Sequence, residues 1–353
     1  MPVSAPVPLS RRPLGPTVAL LCVALLVSVV CGVALGPVRV PLVDTVTHLR
    51  AALFGGIIDH ADAGTYRIVW EIRLPRVLLA AVVGAGLSVV GVVVQTMVRN
   101  ALADPFVLGM SSGASVGAST VVVFGVFASM GLYALSVAAS LGALVATVLV
   151  YLAARTSQGL TPLRLVLTGT AMAYAFSAVT TVLIFLAPHG EAARSVLFWL
   201  LGSLGAATWA MLPLSTAAVV VGLVYLRLIA RSLNALSMGD ETSLTLGVDP
   251  TALRRTLFVV SSVLTGTLVA VSGAVGFVGL VVPHLVRMVV GADHRRVLTV
   301  APLAGAVFLI WVDLVARTVA APQELPLGVI TAVVGVPCFV FLMRRRGYVF
   351  GGR

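Results

Sequence analysis

The stretch LPRVLLAAVVGAGLSVVGVVVQTM, residues 74–97, carries no charged residue after Arg76. At about 1.5 Å of rise per residue a helix of this length reaches about 36 Å, more than the ~30 Å hydrocarbon core of a bilayer. The same pattern recurs along the chain. Apolar runs are expected near 17–36, 74–97, 106–127, 132–153, 163–187, 211–229, 256–274, 277–291, 298–317 and 326–343, separated by short polar breaks. The segment 191–209 is apolar but broken by Gly202, Gly205 and Trp209, and reads as an interfacial or re-entrant helix. The stretch 42–54 after Pro37 and Pro41 reads as amphipathic. The expected fold is therefore an all-α polytopic membrane protein of about ten spans. Tails at 1–16 and 347–353 flank one transmembrane domain at 17–346.

Composition agrees with this reading and removes others. The 353 residues are 59% hydrophobic and only 10% charged, against roughly 25% charged in a soluble domain. A soluble core could not hide so much apolar surface. The net charge of +11 does not point to nucleic acid, because the basic residues sit in the short breaks. All 23 are Arg, and no Lys is present. The phosphate-binding loop G-x-x-x-x-G-K-[ST] needs its Lys, so ATP is not bound here by that route. Cys22, Cys31 and Cys338 lie in apolar runs without ligand spacing and read as small hydrophobes. Arg11-Arg12 before an apolar run resembles a signal peptide, but the run is long and others follow, so it reads as a first span.

Arginine placement sets the expected orientation. One side gathers Arg11, Arg12, Arg99, Arg155, Arg164, Arg227, Arg231, Arg254, Arg255, Arg287, Arg295, Arg296 and Arg344 to Arg346, with Arg353. The other holds Arg39, Arg50, Arg67, Arg73, Arg76, Arg194 and Arg317. The richer side is expected in the cytoplasm, with both termini inside. The cell membrane of a bacterium is the expected location.

Several residues could carry chemistry. Gly109-Met110-Ser111-Ser112-Gly113 matches G-x-S-x-G, but a hydrolase needs a strand–turn–helix around it, and small residues at a helix crossing explain it better. His284 follows Pro283 in an apolar run and reads as a hydrogen-bonded structural residue. Asp313 is the clearest intramembrane acid. It could serve a proton-coupled secondary transporter, yet Arg317 lies four residues on and is its expected partner. Arg73, Arg76 and Arg317 run against the topological bias, and either lipid headgroups or an acidic partner outside would explain them. In the break 231–250, Asp240-Glu241-Thr242 resembles a helix start and Gly247 a helix stop. It reads either as a surface loop or as a docking helix for a soluble partner.

The chain carries Arg-Leu-Pro-Arg at 73–76, Gln95, Arg99-Asn100-Ala101-Leu102-Ala103-Asp104-Pro105, Leu108-Gly109 and Ser111 to Ala114. Further on come Leu246-Gly247-Val248, Gly276-Phe277-Val278-Gly279-Leu280-Val281-Val282-Pro283-His284, Asp293 to Arg296, Asp313 to Arg317 and Glu324 to Gly328. In this order the motifs resemble the FecCD-type permeases, the membrane subunits of type II ABC importers for iron–siderophores, haem and cobalamin.

The resemblance implies ten helices and a second permease subunit, the same chain or a homologue. It also implies a cytoplasmic ATPase dimer that binds the ATP and Mg, and an external substrate-binding protein. No cofactor is implied for this chain. Arg73, Arg76 and Arg317 match residues that meet acids of the binding protein. Leu236, Gly239, Asp240, Glu241, Leu246 and Gly247 match the ATPase-coupling helices, and Thr161-Pro162-Leu163 the cytoplasmic gate. Asn100, Asp104, Pro105, Gly276, Gly279, Pro283, His284 and Asp313 belong to family motifs. Ser243-Leu244 depart from the usual Ala and polar or basic residue. The implied function is import of an iron chelate, with ferric siderophore first and haem or cobalamin next.

Overall fold

Backbone groups in a bilayer have no water to bind, so each segment must satisfy them internally or against protein. The computed structural model meets this with helices alone. It describes residues 13–345 apart from 57, 60, 61, 102, 156–159, 188 and 189, and no strand occurs among them. The expected tails and the closing Arg346 therefore fall largely or wholly outside the described residues.

The helices are α1 (Leu14–Ala34), α2 (Leu42–Phe54), α3 (Ala63–Arg67), α4 (Leu74–Val98), α5 (Met110–Phe124), α6 (Ala134–Ala154), α7 (Pro162–Phe185), α8 (Gly190–Leu200), α9 (Leu212–Leu228), α10 (Ala230–Ser237), α11 (Asp240–Thr245), α12 (Pro250–Ser272), α13 (Val278–Val290), α14 (His294–Thr318) and α15 (Leu327–Arg345). Seven helical runs are long and apolar enough to cross a membrane, and three shorter apolar helices supply the rest of the expected set. The amphipathic stretch at 42–54 is α2. The interfacial segment is helical only as α8, whose 11 residues reach about 16 Å and cannot span the bilayer. The polar break 231–250 is not an open loop: it holds α10 and α11, and α12 already begins at Pro250.

α4 is the axis of the bundle. It is apolar on every face, and such a helix is buried on every face. From Val83 to Val98 all but one of its side chains are buried. α14, α13 and α9 cross it where side chains vanish. A Cβ on Gly84 would lie 2.2 Å from the Gly305 carbonyl oxygen of α14, and one on Gly91 would lie 1.9 Å from that of Gly279 in α13. Small residues thus bring the backbones into van der Waals contact, the main source of helix association in lipid.

α13 departs from the uniform span expected near 277–291. It is a 13-residue helix entered through non-helical backbone at 273–277, in which Phe277 has φ +66°. Pro283 inside it has no N–H to offer the Gly279 carbonyl one turn back. The Gln95 amide of α4 supplies the missing donor, from Nε2 to Gly279 O at 3.2 Å and to Leu280 O at 3.1 Å. Arg287 in turn donates to Gln95 Oε1. Gln95, Gly279 and Pro283 therefore form one structural unit.

Gly84→Val is expected to cost about 3 kcal/mol or more by overpacking. Gly64→Ala, where a Cβ meets nothing within 4 Å, should change stability by no more than about 0.5 kcal/mol. Thermal unfolding of the detergent-purified protein measures both.

Candidate functional site

Polar residues gather at the two ends of the bundle. At the end bearing α8, α1 stops at Ala34 and leaves its last carbonyls without helical donors, at the negative end of its dipole. Two guanidinium groups satisfy them. Arg73 Nη1 donates to Val33 O at 2.9 Å and Ala34 O at 2.8 Å, and its Nη2 donates to Val38 O. Arg317 donates to Leu35 O at 3.0 Å and to Gly32 O. Asp313 lies between two cations. Arg76 Nε reaches its Oδ1 at 2.8 Å, and Arg317 Nε lies 3.2 Å from its Oδ2. Arg76 also forks onto Glu324, with Nη1 to Oε1 at 2.7 Å and Nη2 to Oε2 at 3.0 Å.

The geometry places Arg73, Arg76 and Arg317, read from the sequence as docking residues, inside the bundle rather than on its surface. They are only 4%, 7% and 3% exposed, and each points into the bundle. The physical reason is that carbonyls and carboxylates inside the protein already occupy their donors. The exposed arginines at this end are Arg39, Arg50, Arg67 and Arg194, of which Arg67 is paired with Glu71. The pairing expected between Asp313 and Arg317 is present, joined by Arg76 and Glu324. Beside this network lies a cavity of about 760 Å³, lined by Arg194, Phe198, Trp199, Ser203, Met211 and Glu324 among others.

At the opposite end, Gly239 (φ +117°) and Gly247 (φ +77°) bracket α11, matching the helix start and stop read from the sequence. Asp240 is bound in bidentate geometry by Arg254, with Nη1 to Oδ2 at 3.0 Å and Nη2 to Oδ1 at 2.6 Å. Arg254 also donates to Leu160 O at 3.1 Å and to Met97 O at 3.3 Å. Burial alone would raise the Asp240 carboxyl, but its bonds to Arg254 and the nearby charge of Arg99 hold it below the ordinary range. α10 is fastened separately. Asn234 Nδ2 donates to Asp293 Oδ1 at 3.1 Å, and Asn234 Oδ1 accepts from His294 N at 2.9 Å and lies 2.6 Å from His294 Nδ1. His294 Nε2 lies 2.7 Å from Thr96 Oγ1. Leu236 is fully buried, whereas Met238, Leu244 and Leu246 are exposed.

The remaining sequence-predicted residues divide between surface and scaffold. Pro162 occupies the first turn of α7, Thr161 precedes it, and Leu163 is exposed. Asp104 accepts from Phe106 N at 2.9 Å and opens the 3-10 turn that starts at Pro105, while Asn100 N donates to Gln95 O at 3.1 Å. Gly276 lies in the non-helical entry to α13, Glu241 stands in the first turn of α11, and His284 is buried in α13. Ser111 sits on the first turn of α5 rather than on a strand-to-helix turn, which leaves G-x-S-x-G without its hydrolase context. Among the described residues no three His, Cys, Asp or Glu side chains gather as metal ligands would. The sequence reading treated Arg254 only as topological charge. Its position on the buried stripe Pro250, Arg254, Leu257, Phe258 and Ser261 is the signal that marks it.

Two outcomes test these clusters by thermal unfolding. Arg76→Gln should destabilise the protein by about 3 kcal/mol, because Asp313 loses a buried partner. Asp240→Ala should cost about 2 kcal/mol by leaving Arg254 unpaired. Since the Asp240 pKa is depressed, its contribution is complete above the ordinary value of 3.8 and vanishes as pH falls below it.

Comparison with known proteins places these features in context. The profile of the FecCD transport family matches residues 24–345. The cobalamin import system permease protein BtuC of Halobacterium salinarum is 44% identical over 79% of this chain and 74% of its own length. The hemin transport system permease protein HmuU of Yersinia pestis is 41% identical over 79% of this chain and 84% of its own. A solved chain aligns with TM-score 0.80 and 31% identity, covering 94% of this chain and 99% of its own; its transporter is described as of the metal-chelate type and inward-facing.

Proposed function

The chain belongs to the FecCD transport family, whose members are multi-pass membrane subunits of ABC importers rather than enzymes, and from that premise we propose that it carries an iron chelate, a ferric siderophore, into the cell by alternating access. The observation that carries the mechanism is the α10–α11 pair. It shows apolar Met238, Leu244 and Leu246 on one side and is ion-paired to the bundle through Asp240 on the other. That is the form of a surface that a soluble ATPase grips and moves. This end faces the cytoplasm, as the arginine bias requires. Asp240, Glu241, Leu246 and Gly247 meet the ATPase, while Leu236 and Gly239 hold the pair in shape.

At the opposite face a loaded binding protein docks. Its carboxylates meet the exposed Arg39, Arg50 and Arg194, and the buried Arg73, Arg76 and Arg317 keep that face rigid. α7 is exposed along much of its length at Leu163, Leu167, Tyr174 and Phe185. It faces a second permease subunit and the path between the two, with Thr161-Pro162-Leu163 at the inner gate. The cavity lining offers few charges and grips cargo weakly, which suits release. Haem and cobalamin are the next cargoes, because close relatives bear those names.

Uptake of radio-iron, supplied as a ferric siderophore, is expected to fall when the gene is removed and to fall in intact cells when ATP is depleted. Hemin and labelled cobalamin run in parallel. Loss of one of those alone would change the cargo, and gene-dependent uptake that survives ATP depletion would overturn the importer.

A further inference from the structure

We propose that Arg254 is the positioning residue through which movement of α11 reaches the start of α7. The inference rests on the reading above of α11 as the ATPase contact and of Thr161–Leu163 as the inner gate.

Arg254 is 1% exposed, and its guanidinium joins three segments far apart in sequence. One edge holds the Asp240 carboxylate of α11 through two bonds. Nη1 also donates to the carbonyl of Leu160, the residue before Thr161 and Pro162, at 3.1 Å. Nε donates to Met97 O in the last turn of α4 at 3.3 Å. Leu165 N donates to Thr161 O at 3.1 Å, so the backbone next to Leu160 is already the first turn of α7. A displacement of α11 therefore cannot leave Arg254 where it is. The carbonyls of Leu160 and Met97 are neutral, and a buried cation stripped of its carboxylate is strongly disfavoured. The guanidinium follows Asp240 and draws the Leu160 carbonyl with it, or gives up the charge pair.

The second attachment behaves differently. Asn234 binds α10 to Asp293 and His294 at the root of α14, and His294 meets Thr96 of α4. Among the described residues, no hydrogen bond joins these groups to the segment before α7. α10 is thus the pivot, and α11, with Leu244 and Leu246 exposed, is the lever. Lys cannot replace Arg254, because one ammonium on a flexible stem cannot hold a bidentate carboxylate and two carbonyls in a plane.

The test uses the complete transporter, permease with its ATPase, in inside-out vesicles. Cys22, Cys31 and Cys338 are replaced by Ser, and Arg164→Cys, exposed near the start of α7, reports its accessibility to a membrane-impermeant maleimide. The labelling rate is expected to differ between nucleotide-free and vanadate-trapped states by roughly tenfold, the size of a typical coupling between two sites. Asp240→Asn and Arg254→Lys should bring that ratio to about one. Asn234→Ala should lower the melting temperature yet keep the ratio. Because Arg254 is wholly buried, its Lys variant separates lost transmission from lost ATPase contact. A ratio that persists in Arg254→Lys overturns the relay. A ratio absent from the Arg164→Cys background itself overturns the gate at α7, and the relay with it.

Discussion

A carbonyl group left without a donor inside a membrane protein has no water to turn to, and most of the polar architecture of this chain answers that constraint. α1 ends at Ala34, and Arg73 and Arg317 bind the carbonyls at its close. Pro283 breaks the ladder of α13, and Gln95 reaches across to the freed oxygen. α4 ends at Met97 and Val98, and Arg254 takes the Met97 carbonyl. In each case a long side chain from another helix serves a backbone group, so each repair is also a tie between helices.

The two ends of the bundle use these ties differently. At the α8 end, Arg76, Asp313, Arg317 and Glu324 form a network in which both arginines have more than one partner and Asp313 has two cations. Breaking any single bond leaves a buried charge partly compensated. At the other end, Asp240 is the carboxylate paired with a nearly fully buried Arg254, and that carboxylate sits on a short helix with an apolar exposed face. The two ends thus differ in how many partners hold each buried charge.

Close backbone packing links the two. The contacts of Gly84 with Gly305 and of Gly91 with Gly279 allow no side chain between α4 and its neighbours. α4 therefore acts as a stiff strut from Arg76 at one end to Met97 at the other. The non-helical entry to α13 is tolerated beside it because Gln95 and the tightly apposed Gly279 bury the irregular backbone in protein rather than lipid.

The sequence by itself determined the membrane class, the number of apolar segments, the amphipathic α2, the bounds of α11 and the i, i+4 contact between Asp313 and Arg317. These follow from hydropathy, glycine conformation and helical spacing, which are local. It read Arg73, Arg76 and Arg317 as facing outward, whereas in the folded chain they turn into the bundle, because nothing local tells a guanidinium whether its acceptors lie in a partner or, as for Arg73, in a helix end 40 residues away. The Arg76–Asp313 pair joins residues 237 apart in sequence, and Arg254 meets Leu160 across 94. Such contacts were decided by the tertiary structure alone, since only the packed bundle brings a freed carbonyl or buried carboxylate within reach of the side chain that must satisfy it.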